Sequence, residues 1–270
     1  MPPTSRSNLA ACPSPAPPAV DVHLPGGALT AAQLQALAVL AHAHGDAELL
    51  LTDHAGLRMH GNRDTLTESL TAIGLTVHGT YRRSVVASPL SGRIGGIADV
   101  REIAVALHRR LDGTTATADT VLGLDDGSGD IVALTPDVAV CARPDGSWML
   151  TRSGRDTGVR VDTGDVVEAV LDAAAAAVPD ADVSPLPTPP PHPIGWLDRP
   201  DGTVVLAGAL PDGVLPARTA EFLAAVDRPV VITPWRSVLL CDLDEWAAEQ
   251  VVRVLAPMGL IFDADSPHVE

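Results

Sequence analysis

The spacing of apolar residues predicts a strand, a helix and a second strand at the start of the folded region. Residues 20–24 alternate apolar and polar side chains, as a half-buried strand does, and a Pro-Gly-Gly turn follows them. A helix is predicted over residues 30–44, because Thr30 and Gln33 form a capping-box pair and apolar side chains then recur at helical spacing. The apolar run at residues 49–51 predicts a strand buried on both faces.

Beyond this region the pattern changes to a series of short strands. A second capping box, Thr65 with Glu68, predicts a short helix that ends near Gly74. Asp-Gly turns then separate short β-type runs, and a helix is predicted over residues 164–178. Residues 185–193, rich in proline, predict an extended linker. The predicted strands of this middle section are residues 121–124, 130–134, 138–142 and 148–152.

The N-terminal third of the chain is repeated loosely near the C-terminus. Residues 48–75 and 229–260 both read as a strand, a threonine turn, a second strand, a helix and a Gly-Leu pair. A predicted helix precedes each copy, at residues 30–44 and 217–226. Two widely separated copies predict a pseudo-symmetric body with a site between its halves, since a solenoid needs several tandem units. Chance similarity of two βαβ-like segments is the alternative.

The amino-acid composition of the chain excludes several classes of function. All 18 basic residues are arginine, so the absence of lysine excludes Schiff-base catalysis and a P-loop. The net charge of −16 argues against nucleic-acid binding, which needs a clustered basic surface. No apolar run has the length of a membrane span, and the Pro- and Ser-rich N-terminus lacks the order of a signal peptide. We therefore expect a cytoplasmic protein with neither a nucleic-acid nor a membrane partner.

Three groups of residues are candidates for binding. Arg83 precedes an apolar run and could hold an oxyanion, although a solvated edge is the alternative. His54, Arg58 and His60 would gather cationic or hydrogen-bonding groups at one end of a strand, unless they are only polar residues on an exposed face. Arg236 follows a tryptophan in the second threonine turn, where a surface arginine is the alternative.

The acidic turn and the cysteines suggest no metal centre. Residues 125–130, Asp-Asp-Gly-Ser-Gly-Asp, lack the distal glutamate of a calcium-binding loop and predict a tight hairpin turn. Cys12, Cys141 and Cys241 are isolated, so they form neither a disulfide framework nor a recognisable zinc or cluster site. We therefore assign no metal ligand in this chain.

Several segments resemble one protein family. Residues 22–30 resemble the Leu-Pro-Gly-Gly-x-Leu-Thr opening of the nitrite/sulfite reductase ferredoxin-like half-domain. Residues 85–93 resemble the Ile-Val-Ala-Ser-Pro-Leu-Ala-Gly-Arg segment of precorrin-3B synthases, a branch of that family in aerobic cobalamin biosynthesis. Residues 124–130 and 232–236 fit the same branch, and residues 11–13 are similar to its N-terminus.

The resemblance implies an α+β fold of two ferredoxin-like half-domains in a pseudo-twofold arrangement, with a small α/β middle domain. Family members bind a 4Fe–4S cluster, and the reductases also bind siroheme. The branch reaction is the oxygen-dependent hydroxylation and lactonisation of precorrin-3A. The expected domains are a disordered N-terminus at residues 1–19, half-domains at 20–93 and 194–270, the middle domain at 94–182 and a linker at 183–193.

In the resemblance, Arg58, Arg83 and Arg236 would clamp the carboxylates of a tetrapyrrole, with His54 and His60 as secondary donors. The chain departs from the family at the threonine turn, where His54 and His60 stand in place of two arginines and Arg58 stands in place of a glutamine. It also lacks the active-site lysines of the reductases.

The cysteine motifs that hold the family's cluster would follow residue 267, and they are absent here. We therefore expect no cofactor to be held by this chain alone, and a partner chain could supply the cluster. The alternative to an active enzyme is a non-catalytic or split half that binds a tetrapyrrole. An unrelated acidic scaffold with an accidental repeat is the third reading.

Overall fold

Three five-stranded sheets and their helices make up the residues that the computed structural model describes, which are 18–77, 83–112, 119–175 and 186–266. The strands are β1 (Ala19–His23), β2 (Ala28–Leu29), β3 (Glu48–Leu51), β4 (Leu57–His60), β5 (Thr76–Val77), β6 (Arg83–Ala87), β7 (Thr120–Asp125), β8 (Val138–Ala142), β9 (Trp148–Arg152), β10 (Arg155–Val161), β11 (Gly195–Asp198), β12 (Val204–Ala209), β13 (Val214–Pro216), β14 (Val230–Ile232) and β15 (Ser237–Leu243). The helices are α1 (Ala31–His44), α2 (Arg63–Ala72), α3 (Arg101–Asp112), α4 (Val166–Ala175), α5 (Ala217–Ala225) and α6 (Glu245–Leu255).

The first and third sheets exchange one strand with each other. The first sheet has the order β13-β3-β4-β1-β5, so its edge strand β13 comes from the C-terminal half of the chain. The third sheet has the order β11-β12-β15-β14-β2, and its edge strand β2 comes from the N-terminal half. Leu215 pairs with Leu49, and Ala28 pairs with Val231. Because each half completes the other, the two halves share one continuous hydrophobic core.

The loose sequence repeat corresponds to this symmetry. The series β1-β2-α1-β3-β4-α2 has the same order and pairing as β12-β13-α5-β14-β15-α6, and α1 packs against α5. A left-handed glycine follows both α2 and the turn after α6, Gly74 and Gly259 respectively. The following leucine in each copy donates its N–H to a helix carbonyl, that of Leu70 or of Leu255. The predicted pair of ferredoxin-like half-domains is confirmed.

The helix starts follow local hydrogen bonding. Thr30 and Gln33 form the predicted capping box of α1, and its backbone leaves the helix at Gly45. The second predicted cap was wrong: the N-cap of α2 is Asn62, three residues before Thr65, because its side-chain oxygen accepts the N–H of Thr65 at 3.1 Å. Asparagine is a stronger N-cap than threonine, which explains why the helix starts earlier.

The middle sheet has the order β10-β9-β8-β7-β6 and its own hydrophobic core, with α3 and α4 packed on it. Strands β6, β7 and β8 are parallel and the others antiparallel. Strand β6 belongs to this sheet, although the expected boundary at residue 93 assigned it to the first half-domain. Residues 130–134 do not form the predicted strand but end in a 3-10 turn. The prediction omitted β10 and α3.

The proline-rich linker lies against two parts of the molecule. Pro187 approaches Gly129 so closely that a Cβ on Gly129 would lie 2.7 Å from the proline Cβ. Further along, the ring of His192 stacks on Trp235 with centroids 4.5 Å apart. Residues 1–17 and 176–185, which include parts of the expected N-terminal and linker segments, are outside the described residues. None of the described helices has the length and apolar character needed to cross a bilayer.

We expect Gly27 to be essential to the strand exchange. A Cβ at Gly27 would lie 2.0 Å from the carbonyl oxygen of Ile232 on β14, and the residue has φ of 75°. Gly74 also has φ of 75° but has no atom within 4 Å of an added Cβ, so it is a matched control. Gly74→Ala should lower the free energy of unfolding by about 1 kcal/mol, and Gly27→Ala by more than about 3 kcal/mol. Equal losses in urea denaturation would contradict this.

Candidate functional site

The first threonine turn connects β3 to β4, and two hydrogen bonds between Thr52 and Gly56 close it. The N–H of Thr52 donates to the carbonyl of Gly56 at 3.0 Å, and the N–H of Gly56 donates to the Thr52 hydroxyl at 3.1 Å. Ala55 lies in the left-handed region with φ of 56°. This arrangement leaves Asp53 and His54 at the tip, with His54 about one-quarter exposed.

The second threonine turn repeats this geometry between β14 and β15. The N–H of Thr233 donates to the carbonyl of Ser237 at 2.9 Å, and the N–H of Ser237 donates to the Thr233 hydroxyl at 3.2 Å. Arg236 has φ of 55°, the same conformation as its counterpart Ala55. The turn therefore presents Pro234, Trp235 and Arg236 where the first turn presents Asp53, His54 and Ala55.

A cleft of about 360 Å³ lies where both turns meet the middle domain. The first turn contributes Asp53 and His54, and the second contributes Pro234. The remaining wall comes from β6, β7 and the loop after the acidic turn. These middle-domain residues are Val86, Val121, Ile131, Leu134, Thr135, Pro136 and Asp137. The cleft is thus built from three separate parts of the chain.

The lining of the cleft combines six apolar residues with four polar ones, two of which are carboxylates. Asp53 is exposed, whereas the carboxylate of Asp137 accepts the N–H of Val121 at 2.7 Å. His54 is the basic side chain of this lining, and Arg236 follows the lining residue Pro234 by two positions. An apolar pocket with a few polar groups is the usual form of a small-molecule site.

Arg58 lies away from the cleft lining and is committed to an internal ion pair. Its guanidinium forms a two-point contact with Asp21 on β1, with N–O distances of 2.6 and 3.0 Å. This hydrogen bond raises the pKa of Arg58 above its ordinary value. Arg58 therefore joins β4 to β1, and the guanidinium fork expected to bind a carboxylate ligand already binds one in the protein.

His60 and His54 are at opposite ends of β4. Nδ1 of His60 lies 2.6 Å from a carboxylate oxygen of Asp46, in the loop after α1. The hydrogen bond from His60 lowers the pKa of Asp46 below its usual range. His54 lies on the threonine turn before β4 and His60 is the last residue of β4, so the expected grouping of His54, Arg58 and His60 stays a prediction.

Arg83 supports a helix end within the middle domain. Its guanidinium donates to the carbonyl of Leu111, in the last turn of α3, at 2.8 Å. Cationic side chains favour this position because the last helix carbonyls lack partners. Of the five residues predicted for the site, only His54 lines the cleft, and Arg236 lies on a turn that lines it.

Residues 85–93 and 124–130, which are well separated in the sequence, are in contact in the structure. The hydroxyl of Ser88 donates to Asp130 at 2.5 Å and accepts the N–H of Asp126 at 3.1 Å. Both oxygens of the buried Asp125 accept backbone N–H groups, those of Gly127, Gly129, Ile131 and Val132. Burial raises the pKa of Asp130 to about 7. The signals in the sequence were the spacing of acids in the loop and the resemblance of both segments to the same family branch.

A second unforeseen feature attaches the middle domain to the second half-domain. Arg93, whose side chain is almost fully buried, contacts both carboxylate oxygens of Asp242 at 3.2 Å. Arg199 reaches the same carboxylate at 2.9 Å. Asp242 has φ of 61° and lies in β15 where its pairing with β12 is irregular. The irregular strand thus turns one carboxylate toward two arginines.

The described cysteines do not fit an iron–sulfur cluster. A 4Fe–4S cluster takes one cysteine thiolate per iron, whereas Cys141 and Cys241 are buried in different sheets. Burial raises the pKa of the Cys141 thiol well above its ordinary range and that of Cys241 to about 11. Oxygens of Asp125, Asp126 and Asp130 lie within 4.8 Å of one another. Backbone donors already occupy Asp125, so this cluster alone is not assigned as a metal site.

Comparisons with known proteins agree with the fold. Residues 18–73 match the family model of the nitrite/sulfite reductase ferredoxin-like half domain, which covers the first half-domain. The structure is similar to that of the Mycobacterium tuberculosis NirA protein, with a TM-score of 0.77 and 19% sequence identity. The match covers 91% of this chain and 57% of that chain. No curated protein matches the sequence. At this identity the structural likeness establishes a shared fold.

We expect the thiols of Cys141 and Cys241 to be inert in the folded protein. Both are buried, and the thiolate is the form that reacts. In a Cys12→Ser variant at about pH 8, a thiol reagent such as Ellman's reagent should label neither cysteine within minutes and both in guanidinium chloride. Rapid labelling of the native variant would contradict the buried placement and reopen the question of cluster ligands.

Proposed function

We propose that this chain is a precorrin-3B-synthase-like protein that binds one edge of a tetrapyrrole in the cleft. The observation that carries the proposal is the position of the cleft, between two symmetry-related threonine turns and the middle domain. The sequence resemblance at residues 85–93 and 124–130 supports the same branch. These two segments lie against each other beside the cleft, joined through Ser88.

The size and lining of the cleft suit part of a macrocycle. Its volume is near the lower end of the range for ligand pockets, about 300–1,000 Å³, so it would take one edge of the ring. The exposed Leu134 and the half-buried Val121 offer apolar surface for the faces of pyrrole rings. The carboxylates of Asp53 and Asp137 would repel the acidic substituents of the ligand. These substituents would therefore point toward the open side.

In this proposal His54 and Arg236 contact the ligand, and the other predicted residues maintain the framework. His54 lines the cleft and can donate a hydrogen bond to a carboxylate. Arg236 is exposed at the second turn, and no ion pair involves it within the part of the chain described. Arg58, Arg83 and His60 instead hold Asp21, the end of α3 and Asp46.

The placement of the cysteines favours a second candidate function. The branch reaction would be oxygen-dependent hydroxylation and lactonisation of precorrin-3A. The two described thiols are buried in separate sheets and do not fit a cluster. This observation favours a non-catalytic or split half, which binds the tetrapyrrole or pairs with a chain that carries the cluster.

Binding of an octacarboxylate porphyrin, uroporphyrin, tests the ligand class and the residue roles. We expect quenching of tryptophan fluorescence with a Kd of roughly micromolar order. His54→Gln and Arg236→Gln should each weaken binding about 5- to 10-fold, as expected for loss of one charged hydrogen bond of about 1 kcal/mol or slightly more.

Two variants serve as comparisons for this titration. Arg58→Gln and Arg83→Gln should change the affinity less than about twofold, because their guanidinium groups are engaged within the protein. Losses of affinity as large as those at His54 and Arg236 would instead support the hypothesis drawn from the sequence, in which Arg58 and Arg83 bind the carboxylates of the ligand. No binding by the folded wild-type chain would reject the tetrapyrrole proposal and favour the unrelated scaffold.

Anaerobic purification distinguishes the enzyme from the binding half. Iron and acid-labile sulfide assays, with an ultraviolet–visible spectrum, should find no cluster in this chain alone. Oxygen-dependent addition of one oxygen atom to precorrin-3A, followed by mass spectrometry, should then require an added cluster-bearing chain. A coloured, iron-containing protein that oxidises precorrin-3A unaided would overturn the second candidate and support the enzyme.

A further inference from the structure

The two loops that carry the precorrin-branch segments meet at a buried group of acids. Asp125, Asp126 and Asp130 expose no more than 6% of their surface, and their oxygens approach within 4.8 Å of one another. Charges buried at such distances repel strongly, because little water screens them. The group is therefore least strained when it holds a proton.

Ser88 connects this acid group to the end of β6. Its hydroxyl accepts the N–H of Asp126, so its single hydrogen is directed to the carboxyl of Asp130. The backbone N–H of Ser88 also donates to the carbonyl of Leu124. One serine thus fixes the acidic loop to the segment that follows β6.

The acid group also determines the position of one wall of the cleft. The carboxylate of Asp125 accepts the N–H groups of Ile131 and Val132 at 2.9 and 3.0 Å. Ile131 lines the cleft, and the chain continues from it through the lining residues up to Asp137. A change in the charge of the acid group would therefore alter the backbone position of residues 131–137, which form this wall of the cleft.

A second set of contacts connects the acid group, through residues 93–98, to the second half-domain. The N–H groups of Ile97 and Ala98 donate to the carbonyl of Asp126 at 2.7 and 3.2 Å. In the same segment, Arg93 contacts Asp242 on β15. Residues 88–98 therefore join the acid group to the second half-domain.

We propose that Asp125, Asp126, Asp130 and Ser88 form a proton-dependent latch, which holds the cleft wall at residues 131–137 to the segment at residues 88–98. With a proton in the group, the loops are fixed together. When the proton is lost, repulsion among three carboxylates weakens the backbone hydrogen bonds around them. Both segments then open more often.

The two neighbouring carboxylates and two serine hydroxyls around Asp130 act on this equilibrium. The carboxylates of Asp125 and Asp126 disfavour its charged form, whereas the hydroxyls of Ser88 and Ser128 favour it. The thiol of Cys141 on β8 contacts Asp125 at 3.5 Å. Because the pKa of Asp130 is raised to about 7 from 3.8, the folded state retains a proton that the unfolded chain releases. Stability should therefore fall as pH rises from about 4 to about 7 and change little above that range.

Hydrogen–deuterium exchange of the full chain tests the latch without any ligand, so its result is independent of the proposed function. After correction for intrinsic exchange rates, peptides from residues 88–98 and 125–137 should lose protection about tenfold between about pH 6 and pH 8.5. Asp130→Asn keeps an acceptor for Ser88 but cannot ionise, so protection should no longer depend on pH. Asp145→Asn, in an exposed turn of the same domain, should behave like the wild type.

A second variant keeps the proposal testable if Asp130→Asn does not fold. Ser88→Ala removes a hydroxyl that favours the charged form, so the transition should move to higher pH. Unchanged wild-type protection over this range, a pH response retained in folded Asp130→Asn, or a transition moved to lower pH by Ser88→Ala would each overturn the latch.

Discussion

The exchange of strands β2 and β13 is the interaction on which the rest of the structure depends. Neither half-domain has a complete sheet of its own, since each borrows an edge strand from the other. The exchange requires the backbone near Gly27 to approach the carbonyl of Ile232 more closely than any side chain would permit. It also makes the two halves share one core, so their relative orientation is fixed by burial of apolar surface.

This fixed orientation places both threonine turns on the side of the middle domain. The turns have the same internal hydrogen bonds, but their tips differ in chemistry: Asp53 and His54 in one, Trp235 and Arg236 in the other. A cleft bordered by two such turns is symmetric in backbone and asymmetric in side chains. An asymmetric ligand can therefore be held in a single orientation, because the third wall comes from the middle domain.

The fold could be predicted from the sequence further than the site could. Strand alternation, the capping box at Thr30 and the repeated threonine turn all record local structure, and local structure follows from short-range sequence. The strand predicted at residues 130–134 does not form, because the N–H groups of Ile131 and Val132 donate to the carboxylate of Asp125, a side-chain contact that apolar periodicity does not reveal. The roles of Arg58 and Arg83 depend on Asp21 and Leu111, residues distant in sequence, and no spacing rule could reveal those partners.

The arginines also show why a cation in the sequence is weak support for a ligand site in this protein. With 34 acids and 18 arginines in the chain, many described arginines pair with a carboxylate of the protein, as Arg58, Arg93 and Arg160 do. Arg236 differs from these arginines because it lies beside the cleft. Its left-handed backbone conformation is not what distinguishes it. Its counterpart Ala55 has nearly the same φ, so the turn itself dictates that conformation. Arg236 is therefore a candidate ligand contact because of where its turn lies, and its backbone conformation does not distinguish it from Ala55.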